Sequence, residues 1–544
     1  MIAKVDKVAY TAAGFGEALT HDLARGATGA LPFFPARKWQ DVARRIDGYI
    51  FPRAETAQIL AAANADAPAA VLENIRSLEK KNTYVVATGQ QAGFLGGPLY
   101  TLYKALTAIK LARRYEQDAG GAAHFVPLFW VAGDDHDLQE IDHAWFLRQN
   151  GVLARISAAL APGSAGSSAC EVAIPAASLD KAGEELKSLL PECAAIVQWL
   201  ELYKGRSMSG AFAALLRRWL GNFGLVVVES QALRPLSREL LRRELEDYSV
   251  TYNLIQEAGA DLARAGYQAG FGSGLRAPHF FIELGDEKRR VRLEPATEGA
   301  ETKFIARVPN SLSSNQTFSK AALLEMIQDQ PERFSFSAAL RPVLQQSVFP
   351  VVATVLGPGE INYWAQTTKV HERFEAIWPV VAPRASLTLL DARGLRAVRK
   401  IGLEPGGPEL FDPFESLKEK MLSSSAFAAK LAQQQEAVLA GFQALEAEVR
   451  GSVGGLEPML EKTRARITHE LSRITEKATA VAEEQKEPGE ARAHYLSSLV
   501  RPRNTPQERV LCCAQFMAEY PSLPEELLGV LDLAAPEHLV VSLG

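Results

Sequence analysis

Three carboxylates and an imidazole follow one another at Asp134, Asp135, His136 and Asp137. Such a group could bind a divalent cation, position an ammonium group or supply a general base. It could also do no more than cap a helix start, where acidic side chains are favoured. His143 lies seven residues beyond His136 and would share its face if a helix began there. That spacing matches no recognised metal-ligand pattern, and carboxylates alone suit magnesium rather than zinc. No protein metal site is expected, although magnesium could arrive with a nucleotide.

Two glycine-rich turns offer a second kind of chemistry. The first carries Thr88, Gly89, Gln90 and Gln91, then Gly96, Gly97, Pro98 and Tyr100, with Lys104 further along. Gly96 and Gly97 would let backbone approach a ligand closely, and Pro98 suits the first turn of a helix. Unpaired N–H groups at a helix start favour an anion, which Lys104 could help to hold or could ignore, standing in solvent. The second turn is Gly357, Pro358, Gly359 and Glu360, running on through Asn362 and Tyr363. It too could be a plain tight turn with an acidic first helical residue. Neither turn has the spacing of a dinucleotide fingerprint or a P-loop. Arg341 and Arg384 are candidates for carboxylate or phosphate binding, or partners in structural ion pairs.

Each of these groups ends an apolar run. Tyr84–Thr88, His124–Ala132 and Phe349–Leu356 read as strands buried on both faces, and Gly224–Ser230 as another. Helical patterns at about 53–64, 67–80, 98–116, 208–222 and 236–265 alternate with them. That order predicts a mostly parallel sheet with helices on both faces. Ligands in such sheets collect beyond the carboxyl ends of the strands, where all three polar groups would converge. Residues 1 to about 50 read as irregular. Residues 144–205 and 266–335 interrupt the pattern and read as insertions, the second containing a hairpin over 278–310. The core divides accordingly into 1–143, 206–265 and 336–400.

From about 411 the composition changes to Ala, Glu, Gln, Lys and Leu. Phe427, Leu431, Val438, Phe442, Leu445 and Val449 recur at spacings of three, four and seven. After a turn at 451–455, Leu456, Leu460, Ile467, Leu471, Ile474, Ala478 and Val481 do the same. Residues 411–487 therefore predict an antiparallel helical hairpin with a coiled-coil seam, each arm roughly 45 Å long. Such an arm suggests oligomerisation or packing across another domain. Residues 488–544 read as a helical tail with a final strand-like Leu539–Leu543.

The 544 residues exceed one ordinary core, and 47% hydrophobic with 23% charged residues is a soluble globular balance. A net charge of −5 gives no reason to expect nucleic-acid binding, and no apolar run is long enough to span a bilayer. The N-terminus lacks a signal-peptide core, so the cytoplasm is the expected location. Of the four cysteines, none forms a C-x-x-C pair, and Cys512 and Cys513 read as buried free thiols.

Taken jointly, Thr88-Gly-Gln-Gln-Ala-Gly93 with Gly97-Pro-Leu-Tyr100, the run Phe129–Asp137, Leu340-Arg-Pro-Val343 with Gln345, Gly357–Glu360 with Tyr363-Trp-Ala365, Pro383-Arg-Ala-Ser386 and Gln507-Glu-Arg509 resemble the BshC family of bacillithiol biosynthesis. The resemblance is collinear and covers essentially the whole chain. It implies a Rossmann-like core with two connecting insertions, then a coiled-coil domain used in homodimerisation. It implies a ligase that joins the carboxyl group of L-cysteine to the amine of glucosaminyl malate. The order of core and insertions is similar to class I aminoacyl-tRNA synthetases, which suggests activation by ATP or another adenine nucleotide, although their HIGH and KMSKS signatures are not visible. On this reading the two glycine turns hold a malate carboxylate or a nucleotide phosphate, and Asp134–Asp137 receive the amine. A non-enzymatic nucleotide-binding coiled-coil assembly protein, or a ligase for another low-molecular-weight thiol, are the alternatives.

Overall fold

In the computed structural model, residues 2–272, 274–298, 301–308, 315–422, 424–453, 455–484, 486–533 and 537–544 are described. Thr83–Gln90, His124–Val131, Val226–Glu229, Val351–Leu356 and Val380–Pro383 form one wholly parallel sheet. The apolar side chains of the first four are buried on both faces, which is why they read as unbroken hydrophobic runs, while the edge strand Val380–Pro383 is only partly buried. Numbered along the chain, the strands lie in the order 5-4-1-2-3. The direction of winding therefore reverses between Thr83–Gln90 and Val351–Leu356, the switch point at which such sheets open a crevice.

The first strand runs past the expected Thr88, because Gly89 and Gln90 stay paired with Trp130 and Val131. Only glycine fits there: a Cβ on Gly89 would stand 2.6 Å from the Trp130 carbonyl oxygen. The following helix is Tyr100–Asp118, so Pro98 precedes it rather than opening it. Pro98 instead bridges to Cys512, and Leu99 N–H donates to the Leu511 carbonyl at 2.9 Å. No helix follows Asp134–Asp137 either. A single turn at Leu138–Glu140 leads into the strand His143–Leu147, which pairs with Leu153–Ser157. His136 and His143 therefore do not share a helix face.

The second insertion holds a five-stranded antiparallel sheet containing the expected hairpin, Phe280–Leu284 against Arg289–Glu298. The single helix expected over 236–265 is two, Arg238–Glu246 and Tyr248–Arg264, separated by a non-helical Asp247 (φ −148°, ψ 53°). The N-terminal segment is not wholly irregular. Ile2–Ala9 is a strand antiparallel to Glu537–Leu543, which in turn lies parallel to Leu387–Leu390. Charged side chains stand on both its faces, Lys4 and Asp6 on one and Lys7 on the other, so its apolar pattern is weak, and its partner comes from the other end of the chain.

The helical hairpin is present as Ser424–Ser452 and Glu457–Glu484. Gln435 bonds to Leu471 and Thr475, and Arg464 pairs with Glu446 at 3.3 Å, which sets the arms antiparallel. The seam differs from the expected one. Gln435, Glu446, Arg464 and Thr475 lie in it, while Val438, Leu445 and Ile474 are half-exposed on the outside. The side chains of Phe427, Ala478 and Val481 fall outside the described residues. Polar pairs of this kind fix register at some cost in stability, and they blur an apolar repeat.

Candidate active site

A cleft of about 750 Å³ opens at the switch point. The strand end at Gly89–Gln90, the loop at Gly97–Pro98, the strand end at Asp134–Asp135 and the turn Gly357–Glu360 all line it. The three polar groups picked out along the sequence therefore meet. Gln91 joins two of them: its amide donates to Asp135 at 2.6 Å and to Glu140 at 3.0 Å.

Lys104 is buried rather than solvated. Its ammonium donates to the Gly89 carbonyl at 2.8 Å and the Gln90 side chain at 2.7 Å, and it pairs with Glu360. Glu360 also accepts from the Gly357 N–H at 2.8 Å, reaching back to the start of its own helix. Lys104 thus ties both glycine turns together across the switch point. Burial lowers its pKa, against the opposing pull of Glu360. Gln90 reaches Tyr100 at 3.3 Å, and burial pushes that phenol up to about 12.

The acidic run splits into separate environments. Asp134 accepts from Arg234 at 2.6 and 3.1 Å, and Arg234 also pairs with Glu283 at 2.8 Å. Burial alone would lower Arg234, but the two carboxylates outweigh it and hold the guanidinium above its ordinary value. Asp135 has no ion pair with Lys or Arg among the described residues. Burial pushes its carboxyl up, but the Gln91 amide, the Asp137 N–H and Arg290 outweigh this and keep it below the usual range. It therefore faces the cleft as an anion. His136 and Asp137 do not line the cleft. His136 Nδ1 faces Arg290 Nη1 at 3.0 Å. A guanidinium can only donate, so the neutral imidazole carries its proton on Nε2. Burial and Arg290 both lower the pKa of His136.

The remaining candidates fall on both sides of the cleft wall. Arg341 and Tyr363 line it, hydrogen-bonded to each other at 2.9 Å. Arg384 lines it but is committed, its guanidinium paired with buried Glu508 at 2.6 Å. Thr88 is buried and donates to the Val355 carbonyl at 2.9 Å, joining two strands. Asn362 turns away to Glu17. Gly96 packs against Trp219, whose ring would stand 2.6 Å from an added Cβ, so its positive φ serves packing.

Sequence reasoning did not single out Arg290, Arg503 or Glu140 for the site, and it quoted Arg509 only within a motif. Arg290 lies on the insertion sheet, stacked 3.6 Å from the Phe281 ring centre, and donates to Ser335 and Phe336. The one available signal was its place on the strand face opposite Val291 and Leu293, a face that looks solvent-exposed until the cleft covers it. Arg503 and Arg509 come from the far end of the chain.

A thiol and two carboxylates at Cys170, Glu171 and Glu283 lie within 4.8 Å of one another and could contact a cation. Two of the three are engaged already, Glu171 with Lys288 and Glu283 with Arg234. All four cysteines are free, and Cys512 and Cys513 are buried as expected.

The family model for the BshC N-terminal Rossmann-like domain matches residues 4–385, and that for the BshC C-terminal coiled-coil domain matches 387–543. The chain belongs to the BshC family of bacillithiol biosynthesis. Relatives bearing the name "Putative cysteine ligase BshC" include those of Chloroherpeton thalassium, 37% identical over 60% of this chain and 57% of the relative, and Salinibacter ruber, 30% identical over 86% and 84%. That of Bacillus mycoides is 28% identical over 82% of each chain. The expected Rossmann-like core with a coiled-coil domain is borne out, and the names of the BshC relatives agree with the expected ligase class. A solved arginyl-tRNA synthetase from Thermus thermophilus covers 82% of each chain at 11% identity, with a TM-score of 0.16, which carries no weight for the fold. No described helix is long and apolar enough to cross a membrane.

Proposed function

We propose that this BshC-family chain joins the carboxyl group of L-cysteine to the amine of glucosaminyl malate, in the last step of bacillithiol biosynthesis. The observation that carries the proposal is the pairing, in one cleft, of a free anion with free cations. Asp135 faces the cleft as a carboxylate. Arg341, Arg503 and Arg509 line the same cleft without an ion-pair partner among the described residues. An amine substrate that also carries carboxylates needs both.

Asp135 receives the ammonium group and assists its deprotonation, leaving the free amine to attack the activated cysteine carboxyl carbon as the C–O bond to the activating group breaks and that group leaves with the oxygen. Gln91 fixes the orientation of Asp135. His136 stays neutral and orients Arg290 rather than moving a proton. An adenine nucleotide, when bound, supplies activation of the cysteine carboxyl group. The cleft, at about 750 Å³, offers space for one, and Gly357 and Gly97 line it without side chains. Magnesium would enter with that nucleotide. The half-exposed Val438, Leu445 and Ile474 on the hairpin supply an apolar surface for a homodimer, and the cytoplasm is the proposed location.

The test is product analysis. Purified protein with L-cysteine, glucosaminyl malate and ATP is expected to form the amide, detected by mass. Absence of product with every nucleotide tried would defeat the proposal.

A further inference from the structure

Apart from Arg290, whose guanidinium is taken up by His136, Ser335 and the Phe336 carbonyl, the lysine and arginines of the cleft fall into two sets. Lys104 and Arg384 are neutralised by Glu360 and Glu508. Arg341, Arg503 and Arg509 line the same cleft and form no ion pair among the described residues. Two of these three come from residues 501–513, beyond the helical hairpin, and the chain goes to some length to hold that segment in place.

The Cys512 N–H donates to the Trp145 carbonyl, and the Cys513 N–H to the Gly97 carbonyl, both at 2.9 Å. Just before them, Gln507 clamps the Leu389 backbone through both ends of its amide, at 2.7 and 2.8 Å. Glu508 takes hydrogen bonds from Arg384, Ser386 and the Leu387 N–H. With both predecessors buried and locked, Arg509 is presented to the cleft. Its own guanidinium makes no side-chain hydrogen bond among the described residues, although it lies near enough to Tyr100 to offset part of that phenol's upward shift. Arg503 stands over the Trp145 ring at 4.8 Å. Arg503 and Asn504 both have left-handed backbone (φ 55° and 59°), which side chains other than glycine rarely adopt. Strained backbone of this kind persists where the surroundings over-determine it, often at ligand clamps.

Arg503 and Arg509 are exposed and Arg341 half-buried, so their guanidiniums stay open to a ligand, and their planar forks match carboxylates two bonds at a time. Three of them call for a ligand with more than one negative charge. We infer that Arg503 and Arg509 bind one carboxylate of a dicarboxylate-bearing amine and that Arg341, from the core, binds the other. This rests on the function proposed above and deepens it: the malate half of the substrate is recognised chiefly by the C-terminal domain. The amine then lies toward Asp135. A nucleotide phosphate is the other anion with suitable charge, and the test separates the two.

Binding of glucosaminyl malate, L-malate, glucosamine and ATP is measured by calorimetry for the wild type, Arg503→Gln, Arg509→Gln and Arg509→Lys, with circular dichroism as the control for folding. The wild type is expected to bind glucosaminyl malate. Each glutamine variant should weaken that binding by about tenfold or more, as for hydrogen bonds between charged groups. Glucosamine and ATP affinities should not change. Arg509→Lys keeps the charge but loses the fork, and should fall between. Unchanged glucosaminyl malate affinity in the folded glutamine variants would overturn the inference while leaving the proposed reaction standing. Loss of ATP binding in place of glucosaminyl malate binding would overturn it in favour of a phosphate site. Failure of the wild type to bind glucosaminyl malate would count against the reaction itself. If the glutamine variants do not fold, Arg509→Lys decides: wild-type affinity overturns the inference and weaker binding supports it.

Discussion

The helical hairpin and the segment after it are consecutive parts of one coiled-coil domain, yet they are built in opposite ways. The hairpin, Ser424–Ser452 and Glu457–Glu484, holds to itself through a seam that includes Gln435, Thr475, Glu446 and Arg464, and leaves Val438, Leu445 and Ile474 half-exposed. The segment around residues 501–513 is sewn into the first glycine loop, the first insertion and the Leu387–Leu390 strand. It places two arginines in the cleft. A domain named for its coiled coil thus contributes its helices to the outside of the molecule and its connecting turns to the candidate site. The Rossmann-like core alone would leave that site without one wall.

The contrast is broken most forcefully at Glu508. Its carboxylate and the Arg384 guanidinium are only 1% and 2% exposed. Removing one partner strands a buried charge, so Glu508→Gln is expected to cost about 3–5 kcal/mol, read as a fall in the denaturation midpoint. If it instead behaves like a surface change, the C-terminal segment is not anchored as described.

A comparable effect comes with pH. His538 bridges the Ser386 and Thr388 hydroxyls beside Glu508, and His371 is buried under Trp364 and Trp378. Burial lowers both from 6.5 to about 4. Between these values the unfolded chain binds more protons than the folded one, so stability is present above pH 6.5 and is lost as pH falls toward 4. The slope should reach at most about 1.4 kcal/mol per pH unit for each histidine. Denaturation midpoints across pH 4–7 measure it, and His538→Gln should flatten the profile. A flat wild-type profile would contradict the buried, neutral assignment.

The smallest effect is expected on the hairpin. Val438→Ser and Ile474→Ser should change stability by no more than about 0.5 kcal/mol, as exposed substitutions do. Glucosaminyl malate binding should stay unchanged while self-association weakens in sedimentation. A loss of binding there would erase the distinction between the two parts of the domain.

Much of the core was legible because its evidence is local. Val85–Ala87, Phe125–Val131 and Val351–Leu356 announce buried strands by composition, and each ends in glycines or carboxylates. What stayed hidden depends on distant partners. Ile2–Ala9 becomes a strand because Glu537–Leu543 pairs with it, and charges on both of its faces left no alternation to read. Lys104 looked capable of standing in solvent until Gly89, Gln90 and Glu360 closed round it. Asp134 and Asp135 are neighbours with the same chemistry, but only the fold brings Arg234 to the first and leaves the second facing the cleft. The hairpin seam was misplaced in part because polar side chains lie where a strict apolar repeat was expected. Arg503 and Arg509 had no periodic pattern to betray them at all.

The measurement that bears most directly on the cleft as the site of ligation is product formation by wild type and Asp135→Asn, side by side, with L-cysteine, glucosaminyl malate and ATP. Asparagine keeps the shape and can still meet Gln91, but it cannot take up a proton. The account predicts the cysteinyl amide from the wild type, a rate lower by about a hundredfold or more in the variant at saturating substrate, as for loss of a general base, and a weaker glucosaminyl malate affinity as the ammonium loses its carboxylate. Equal rates from both proteins would contradict it.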